Sequence, residues 1–437
     1  MTTEVASYVP VLVFADQPAV GGALSTALAA RTGWSSLGAM DLPSRISRLL
    51  WGFEAGGGNA GVSSLVDRDR MTAELRRLVD GLVVAAVEPG TAYAVDVCAN
   101  GEVLGPFIRS VWSDAFVVVA GDGEPGDGVA AARPDLVVSA REAAGNPAAV
   151  AAQIATLAAL PGAPPERPRT GRVRARRASA SRFRLSASPL RDRVVVVLGA
   201  ARSGTTWLHR LISAHPAVAG TETGETWLFT DVAPVWVDPV RREAGDGAVL
   251  TGMRAFCDSL LLTMRDRMAP EATHVCEKTP TSVWRLPVLA RMYPDALYVH
   301  VVRDGRDVAT SLARTWTGGA EPTVEEVEAA AREWVEAVGA VRLTEPDLRR
   351  FHQVRYEDLL ADPLSVVDRL WRWIGVGVTD EARAAAAKRA QERVTPLAAS
   401  GEIGTGKWRS LPAPARAAVT IATGELMREL GYPMDGS

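Results

Sequence analysis

Short runs of β-branched and apolar residues recur along this chain, and each closes on a loop that opens onto a stretch with helical spacing. Val194 to Leu198 reads VVVVL, an unbroken apolar run of the kind found in strands buried on both faces of a parallel sheet. Gly199 and Gly204 bracket the loop behind it, and Thr205 to Ser213 then carries Leu208, Leu211 and Ile212 on one helical face. The order repeats at Leu297 to Val302, which runs into a helix bearing Val308, Ala309 and Leu312. Val324 to Val341 places Val324, Val327, Ala331, Trp334, Val335 and Val338 at helical spacing, which predicts a helix packed on the sheet with Trp334 in the core. Phe351 to Arg355 reads as a further short strand. The pattern predicts an α/β fold, a parallel sheet flanked by helices with a P-loop-like phosphate-binding loop after its central strand.

The first third shows the same order of elements. Val9 to Phe14 is a buried-type strand followed by Asp16-Gln17-Pro18-Ala19-Val20-Gly21-Gly22 and a helix through Leu28. Ala94 to Cys98 and then Ser113 to Gly123 parallel Val275-Cys276 and Asp295 to Gly305, at an offset of about 180 residues, which is internal similarity of the kind repeat architectures leave. The first copy lacks the chemistry: Pro18 falls where Arg202 stands, Val20 where Gly204 stands, Gly121 where Arg303 stands and Asn100 where Lys278 stands. We therefore expect two domains, the first a degenerate, non-catalytic copy of the second, making the chain an internal pseudo-dimer. The alternative is an unrelated α/β domain whose buried strands share Val and Ala.

Length agrees with more than one domain: the chain has 437 residues, 47% of them hydrophobic. Residues 160–192, rich in Pro, Arg, Ser and Ala, hold only Glu166 and Asp192 as acids and show no apolar period. They read as a linker between residues 1–159 and a catalytic domain over 193–437. The net charge of −3 and the lack of a basic-aromatic recognition pattern argue against nucleic acid as a partner. No apolar stretch approaches the ~20 residues that span a bilayer, and MTTEVASYVP has no charged region followed by an apolar core, so a cytoplasmic protein without a membrane span is expected. Cys98, Cys257 and Cys276 form no metal or disulfide pattern, and no metal site is expected.

The loop itself carries the most chemistry. A Gly-bounded loop that ends at a helix N-terminus presents unpaired N–H groups and the positive end of the helix dipole to an anion. Gly199 and Gly204 have the G-x-x-x-x-G spacing of nucleoside-triphosphatases, but Thr205-Thr206 follows where those proteins have Lys-Ser or Lys-Thr, and the cation has moved inside the loop to Arg202. A P-loop small-molecule kinase, which needs that lysine on the β- and γ-phosphates, is the weaker reading. A catalytically silent nucleotide-binding protein would require broken donor motifs.

Arg202-Ser203-Gly204-Thr205-Thr206-Trp207 resembles the 5′-phosphosulfate loop of the sulfotransferases that use 3′-phosphoadenosine-5′-phosphosulfate (PAPS). A second signature, DALYVHVVRDGRD over Asp295 to Asp307, places Arg303 at a strand end and Ser311 eight residues later, the spacing with which that family grips the 3′-phosphate. The resemblance covers about Arg193 to Pro433 and is nearest the bacterial and tyrosylprotein-sulfotransferase-like branch. It implies a catalytic glutamate in the segment His215 to Glu225, where Glu222 fits best and Glu225 is the second choice. It also implies a lysine on the transferring group in Cys276-Glu277-Lys278-Thr279-Pro280. Composition adds to this: Lys278, Lys388 and Lys407 are the only lysines among 48 basic residues, and a compact point charge is what an arginine fork cannot replace.

Two further segments match. Tyr356-Glu357-Asp358-Leu359 resembles the family's YEDL, whose tyrosine lies near the nucleotide, and Gly406-Lys407-Trp408 resembles a late loop that folds over the 3′-phosphate. The resemblance thus implies PAPS as co-substrate, no metal, and in-line transfer of a sulfuryl group to a hydroxyl or phenol of a small-molecule, glycan or peptide acceptor.

Overall fold

The computed structural model describes residues 8–46, 66–99, 105–122, 133–159, 188–221, 225–392 and 405–434. The chain divides into two compact units. Met1–Ala55, Val66–Ala187 and Asp231–Ser259 form the first, and Gly56–Leu65, Ser188–Thr230 and Leu260–Ser437 the second. The first unit thus takes in Asp231–Ser259, a stretch that lies in the second half of the sequence. Most of the basic tether, residues 160–187, lies outside the described residues, as do Asn100 and Glu222.

The first unit holds strands β1 (Val9–Ala15), β2 (Trp34–Ser36), β3 (Tyr93–Ala99), β4 (Phe116–Ala120) and β5 (Leu136–Val138), paired in parallel in the order β2-β3-β1-β4-β5. Helix α1 (Pro18–Ala29) buries Val20, Leu24 and Leu28 against Val11, Val13 and Val95, with Val150 and Ile154 of the helix Pro147–Ala158 in the same core. The turn between β1 and α1 is tighter than the sequence pattern suggests. The helix already begins at Pro18, whose ring presets the helical φ at a first-turn position, so only Asp16 and Gln17 connect the two elements. No anion-sized loop is left.

The second unit holds β6 (Val194–Leu198), β7 (Val218–Ala219), β8 (His274–Glu277), β9 (Leu297–Val302) and β10 (Phe351–Arg355), also all parallel, in the order β10-β9-β6-β8-β7. All five residues of β6 are buried, as the unbroken apolar run predicts. On one face, Leu208, Leu211 and Ile212 of helix α2 (Thr205–Ile212) meet Val195, Val197, Val299 and Val301, and Trp371 closes this core. The Trp371 indole donates 3.0 Å to the carbonyl of Ile212, satisfying one of the acceptors left open at the end of α2. On another, helices α3 (Gly305–Trp316) and α4 (Val324–Thr344) pack Ala309 and Leu312 against Val327, Ala330 and Ala331. α4 starts in a capping box, with the Thr323 side chain on Glu326 N–H and the Glu326 carboxylate on Thr323 N–H.

Numbered within its own unit, each sheet runs second, third, first, fourth, fifth. The register agrees as well. Val11 stands level with Val95 and Phe116, and Val195 level with Cys276 and Leu297, so 21 residues separate the two flanking positions in both sheets (95 to 116, 276 to 297). This register sets Val97 opposite Lys278 in the comparison, and Asp122 opposite Arg303. It corrects the sequence-based pairing with Asn100 and Gly121, which lie 178 and 182 residues before Lys278 and Arg303, whereas both strands keep one offset of 181.

Among the described residues no helix is long and apolar enough to cross a membrane, and no group of His, Cys, Asp or Glu is arranged to hold a metal ion. Cys98, Cys257 and Cys276 are buried and lie in no disulfide.

The carboxyl ends of β6, β8 and β9 share one edge, where the chain switches from one side of the central strand to the other. That is where open parallel sheets bind ligands. The packing behind this edge is close. A Cβ on Gly305, the first residue of α3, would lie 2.6 Å from the fully buried ring of Trp334. Gly305→Ala is therefore expected to destabilise the protein by about 1–3 kcal/mol, and Trp334→Leu in the same chain to recover part of that loss. Denaturant unfolding followed by circular dichroism checks this, and an unchanged midpoint for Gly305→Ala would show that the ring yields.

Candidate functional site

Six segments meet at the carboxyl edge of the second sheet. The loop after β6 runs Gly199 to Gly204, and its turn is made by two left-handed residues, Arg202 (φ 71°) and Gly204 (φ 96°). A side chain at Gly204 would be driven into the Tyr356 ring, 2.5 Å from a built Cβ, so the loop can pass the ring only with glycine there. Arg202, a non-glycine residue at positive φ, carries strain of the kind functional loops store. Thr205 and Thr206 then open α2, and the Ser203 hydroxyl is buried with no hydrogen-bond partner. An orphaned donor at a helix N-terminus, inside a turn that admits no side chain, fits an anionic oxygen. Trp207 points the other way, into the core, edge-on to Tyr356.

Arg202 and Arg303 converge. The Arg202 Nε donates 3.2 Å to the Ser311 hydroxyl, and an Arg303 N–H donates 3.2 Å to the carbonyl of Arg202. The Arg303 guanidinium lies over the Tyr356 ring, 4.3 Å from its centroid. Burial, and then the nearby Arg303 charge, lower the pKa of Arg202. Asp307 lies 3.8 Å from Arg303 and accepts the backbone N–H groups of Gly406 at 2.7 Å and Trp408 at 3.2 Å. The late loop is thereby tied to α3 beside the arginines, and Arg306 stacks over Trp408 at 4.3 Å. Lys407 opens the short 3-10 turn of this loop. Six of the sequence-derived residues, Arg202, Arg303, Ser311, Tyr356, Gly406 and Trp408, are thus brought into one neighbourhood. Asp307, which links them, was not among them, although its place four residues after Arg303 in DGRD is the signal that could have found it.

A second cluster forms at the end of β8. The Lys278 ammonium is fully buried and donates 2.5 Å to Glu225 Oε1, whose side chain is 18% exposed. Burial lowers the pKa of Lys278, against the opposing pull of Glu225. Beside it, Glu277 is completely buried and accepts the hydroxyls of Thr279 at 2.6 Å and Thr226 at 3.0 Å. Burial pushes the Glu277 carboxyl up to about 7, with the two threonine hydroxyls holding it down. Trp227 follows Thr226 at φ 59°, and its N–H bonds the Thr279 hydroxyl at 3.1 Å. His209 of α2 contacts the carbonyl of Cys276 at 3.2 Å, and burial drops its pKa to about 3, which keeps the imidazole neutral. Of the two glutamates the sequence nominates, Glu225 is the one placed on Lys278; Glu222 lies outside the described residues.

Residues 194–380 match the model of the sulfotransferase family. The matched stretch runs from β6 past β10 and takes in the loop after β6 and the ends of β8 and β9. Protein-tyrosine sulfotransferase 1 of Danio rerio is 31% identical over 121 residues, 26% of this chain and 33% of that protein. The omega-hydroxy-beta-dihydromenaquinone-9 sulfotransferase Stf3 of Mycobacterium bovis is 30% identical over 111 residues, 23% of this chain and 28% of that protein. Among solved structures, the sulfotransferase domain of the olefin synthase from Synechococcus PCC 7002 aligns at 20% identity and a TM-score of 0.37, covering 55% of this chain and 94% of that one. The chain spans about a third of the length of the curated relatives it matches.

Proposed function

We propose that the second unit transfers a sulfuryl group from PAPS to a hydroxyl or phenol of a small-molecule, glycan or peptide acceptor. The observation that carries this reading is the pair of separate cationic sets on one sheet edge: Arg202 and Arg303 with Ser311, and the buried Lys278 with Glu225. A donor with phosphate at both ends of its ribose, and a reacting group beyond one of them, uses both. The names of the relatives support an oxygen acceptor, since one is a protein-tyrosine and the other an omega-hydroxy-dihydromenaquinone sulfotransferase.

PAPS supplies a sulfuryl group activated by its anhydride bond to phosphate. Arg202, Ser203, Gly204, Thr205 and Thr206 would hold the 5′-phosphosulfate side, where the orphaned Ser203 hydroxyl and the N-terminus of α2 await acceptor oxygens. Arg303 and Ser311 would hold the 3′-phosphate, with Tyr356 and the segment Gly406-Lys407-Trp408 on the nucleotide side. Two grips on one donor fix its orientation for in-line attack. Glu225 takes the proton of the acceptor hydroxyl on its carboxylate, and the Lys278 ammonium beside it stabilises charge on the transferring group and on the bridging oxygen. We assign the base to Glu225 because its carboxylate accepts from the Lys278 ammonium. Trp207 supports the loop from the core side. No step in this scheme requires a metal.

We read the first unit as a degenerate copy of the second. The shared strand order and register support this, and the two-residue turn before Pro18 leaves no phosphate loop in it.

Donor recognition is tested by calorimetry. Adenosine 3′,5′-bisphosphate is expected to bind more tightly than AMP, and Arg303→Ala to remove roughly ten- to a hundredfold of that preference, the size of a charge-assisted hydrogen bond. Equal affinity for the two nucleotides would overturn the assignment. The base is tested by turnover. Glu225→Gln is expected to slow transfer by about 10²–10⁴-fold with little change in nucleotide affinity, and Glu222→Gln to leave it near wild type. The reverse pattern would move the role to Glu222.

A further inference from the structure

Each sheet buries a carboxylate at the same position. Leu12 of β1 stands opposite Asp96 of β3, and Val196 of β6 stands opposite Glu277 of β8, one step beyond the level positions that align the two sheets. Asp96 is 1% exposed and Glu277 0%. Each accepts hydrogen bonds from the segment that leaves the preceding strand. Asp96 takes the N–H groups of Asp41 at 2.9 Å and Leu42 at 2.8 Å, downstream of β2. Glu277 takes the Thr226 hydroxyl at 3.0 Å, downstream of β7, as well as that of Thr279. The carboxylate is a latch between the third strand and the chain emerging from the second.

The two latches hold different things. After Asp96 comes Val97, and no ion pair with the latched segment is possible there. After Glu277 comes Lys278, and the residue before the latched Thr226 is Glu225. The strained turn at Trp227 belongs to the same network through its N–H on Thr279, and Thr226 Oγ1 also accepts the N–H of Leu228 at 3.3 Å. The second oxygen of Glu277 is buried with no hydrogen-bond partner, so the hydrogen bonding of this carboxyl goes entirely to the latch. Burying a carboxyl this fully is unfavourable, and an apolar side chain of the same size would fill the space without that cost.

We propose that Glu277 is a positioning residue for the reacting pair: through Thr226 and Thr279 it holds the Glu225 carboxylate on the Lys278 ammonium, while touching neither substrate. This rests on the reading of Glu225 as the base. Its consequence is that loss of the latch lowers the rate of transfer and spares the donor site, which is built on β6 and β9.

The test uses the full chain with PAPS as donor and, as acceptor, the phenol or alcohol of a panel that wild type turns over fastest. Glu277→Ala is expected to lower kcat about 10²-fold, the effect of a misplaced reacting group, with adenosine 3′,5′-bisphosphate affinity unchanged. Glu277→Gln, whose amide oxygen still accepts both hydroxyls, recovers most of the loss. The double variant E225Q/E277A is expected to be no slower than E225Q, because Glu277 acts through Glu225. Additive losses in the double variant, a full kcat in E277A, or loss of nucleotide affinity alongside kcat would overturn the proposal. Crystal structures give an answer independent of turnover: E277Q keeps Lys278 Nζ on Glu225, E277A opens the pair beyond about 3.5 Å, and an intact pair in E277A overturns the latch. If E225Q alone retains turnover, the base reading fails by itself, and the distance in E277A still judges the latch.

Discussion

Taking a lysine ammonium wholly out of water is the constraint around which the end of β8 is arranged. An isolated buried ammonium would shed its proton, since desolvation disfavours the charged form. Lys278 is fully buried, and its answer is one carboxylate, Glu225, brought in from a segment more than fifty residues earlier in the chain. Breaking such a pair is far worse than never forming it, because the remaining charge stays buried. The backbone around Glu225 is correspondingly tied down: Thr226 and Thr279 on Glu277, and the positive φ of Trp227 fastened by its N–H. Charge placement at one atom therefore dictates the course of the chain over several residues on either side of it.

The same logic runs through the neighbouring arginines with a different solution. Arg202 and Arg303 approach each other through a carbonyl, a hydroxyl and the face of Tyr356, and Asp307, 3.8 Å from Arg303, is shared with the backbone of the late loop. Two guanidiniums are thereby held beside a helix N-terminus, one of them bonded to the Ser311 hydroxyl and the other beside Asp307. In the proposed reaction these groups meet the donor's phosphates, and their fixed positions preorganise the site before the donor arrives.

Much of this was legible in the chain. VVVVL, LYVHVV and FHQVR are strands with the bounds their apolar runs suggest, R-S-G-T-T runs into the start of α2, and Arg303 follows β9 with Ser311 on α3. Short edge strands such as β2, β5 and β7, of two or three residues, left no periodicity to read. Nor could spacing place Glu225 on Lys278, because that meeting depends on a turn in which Trp227 adopts a rare conformation. Glu277 and Asp307 sat in view inside CEKTP and DGRD, but a buried carboxylate declares itself only through partners distant in sequence.

The central claim is that the second unit moves a sulfuryl group from PAPS to a hydroxyl. Its most direct test is incubation of the full chain with PAPS labelled in the sulfuryl group and a panel of phenols, sugars, tyrosine peptides and lipid-like alcohols, with mass spectrometry to locate the label. The account predicts that label appears as a sulfate ester on an acceptor oxygen, with adenosine 3′,5′-bisphosphate released in equal amount. Label that stays on the nucleotide across the whole panel would contradict it.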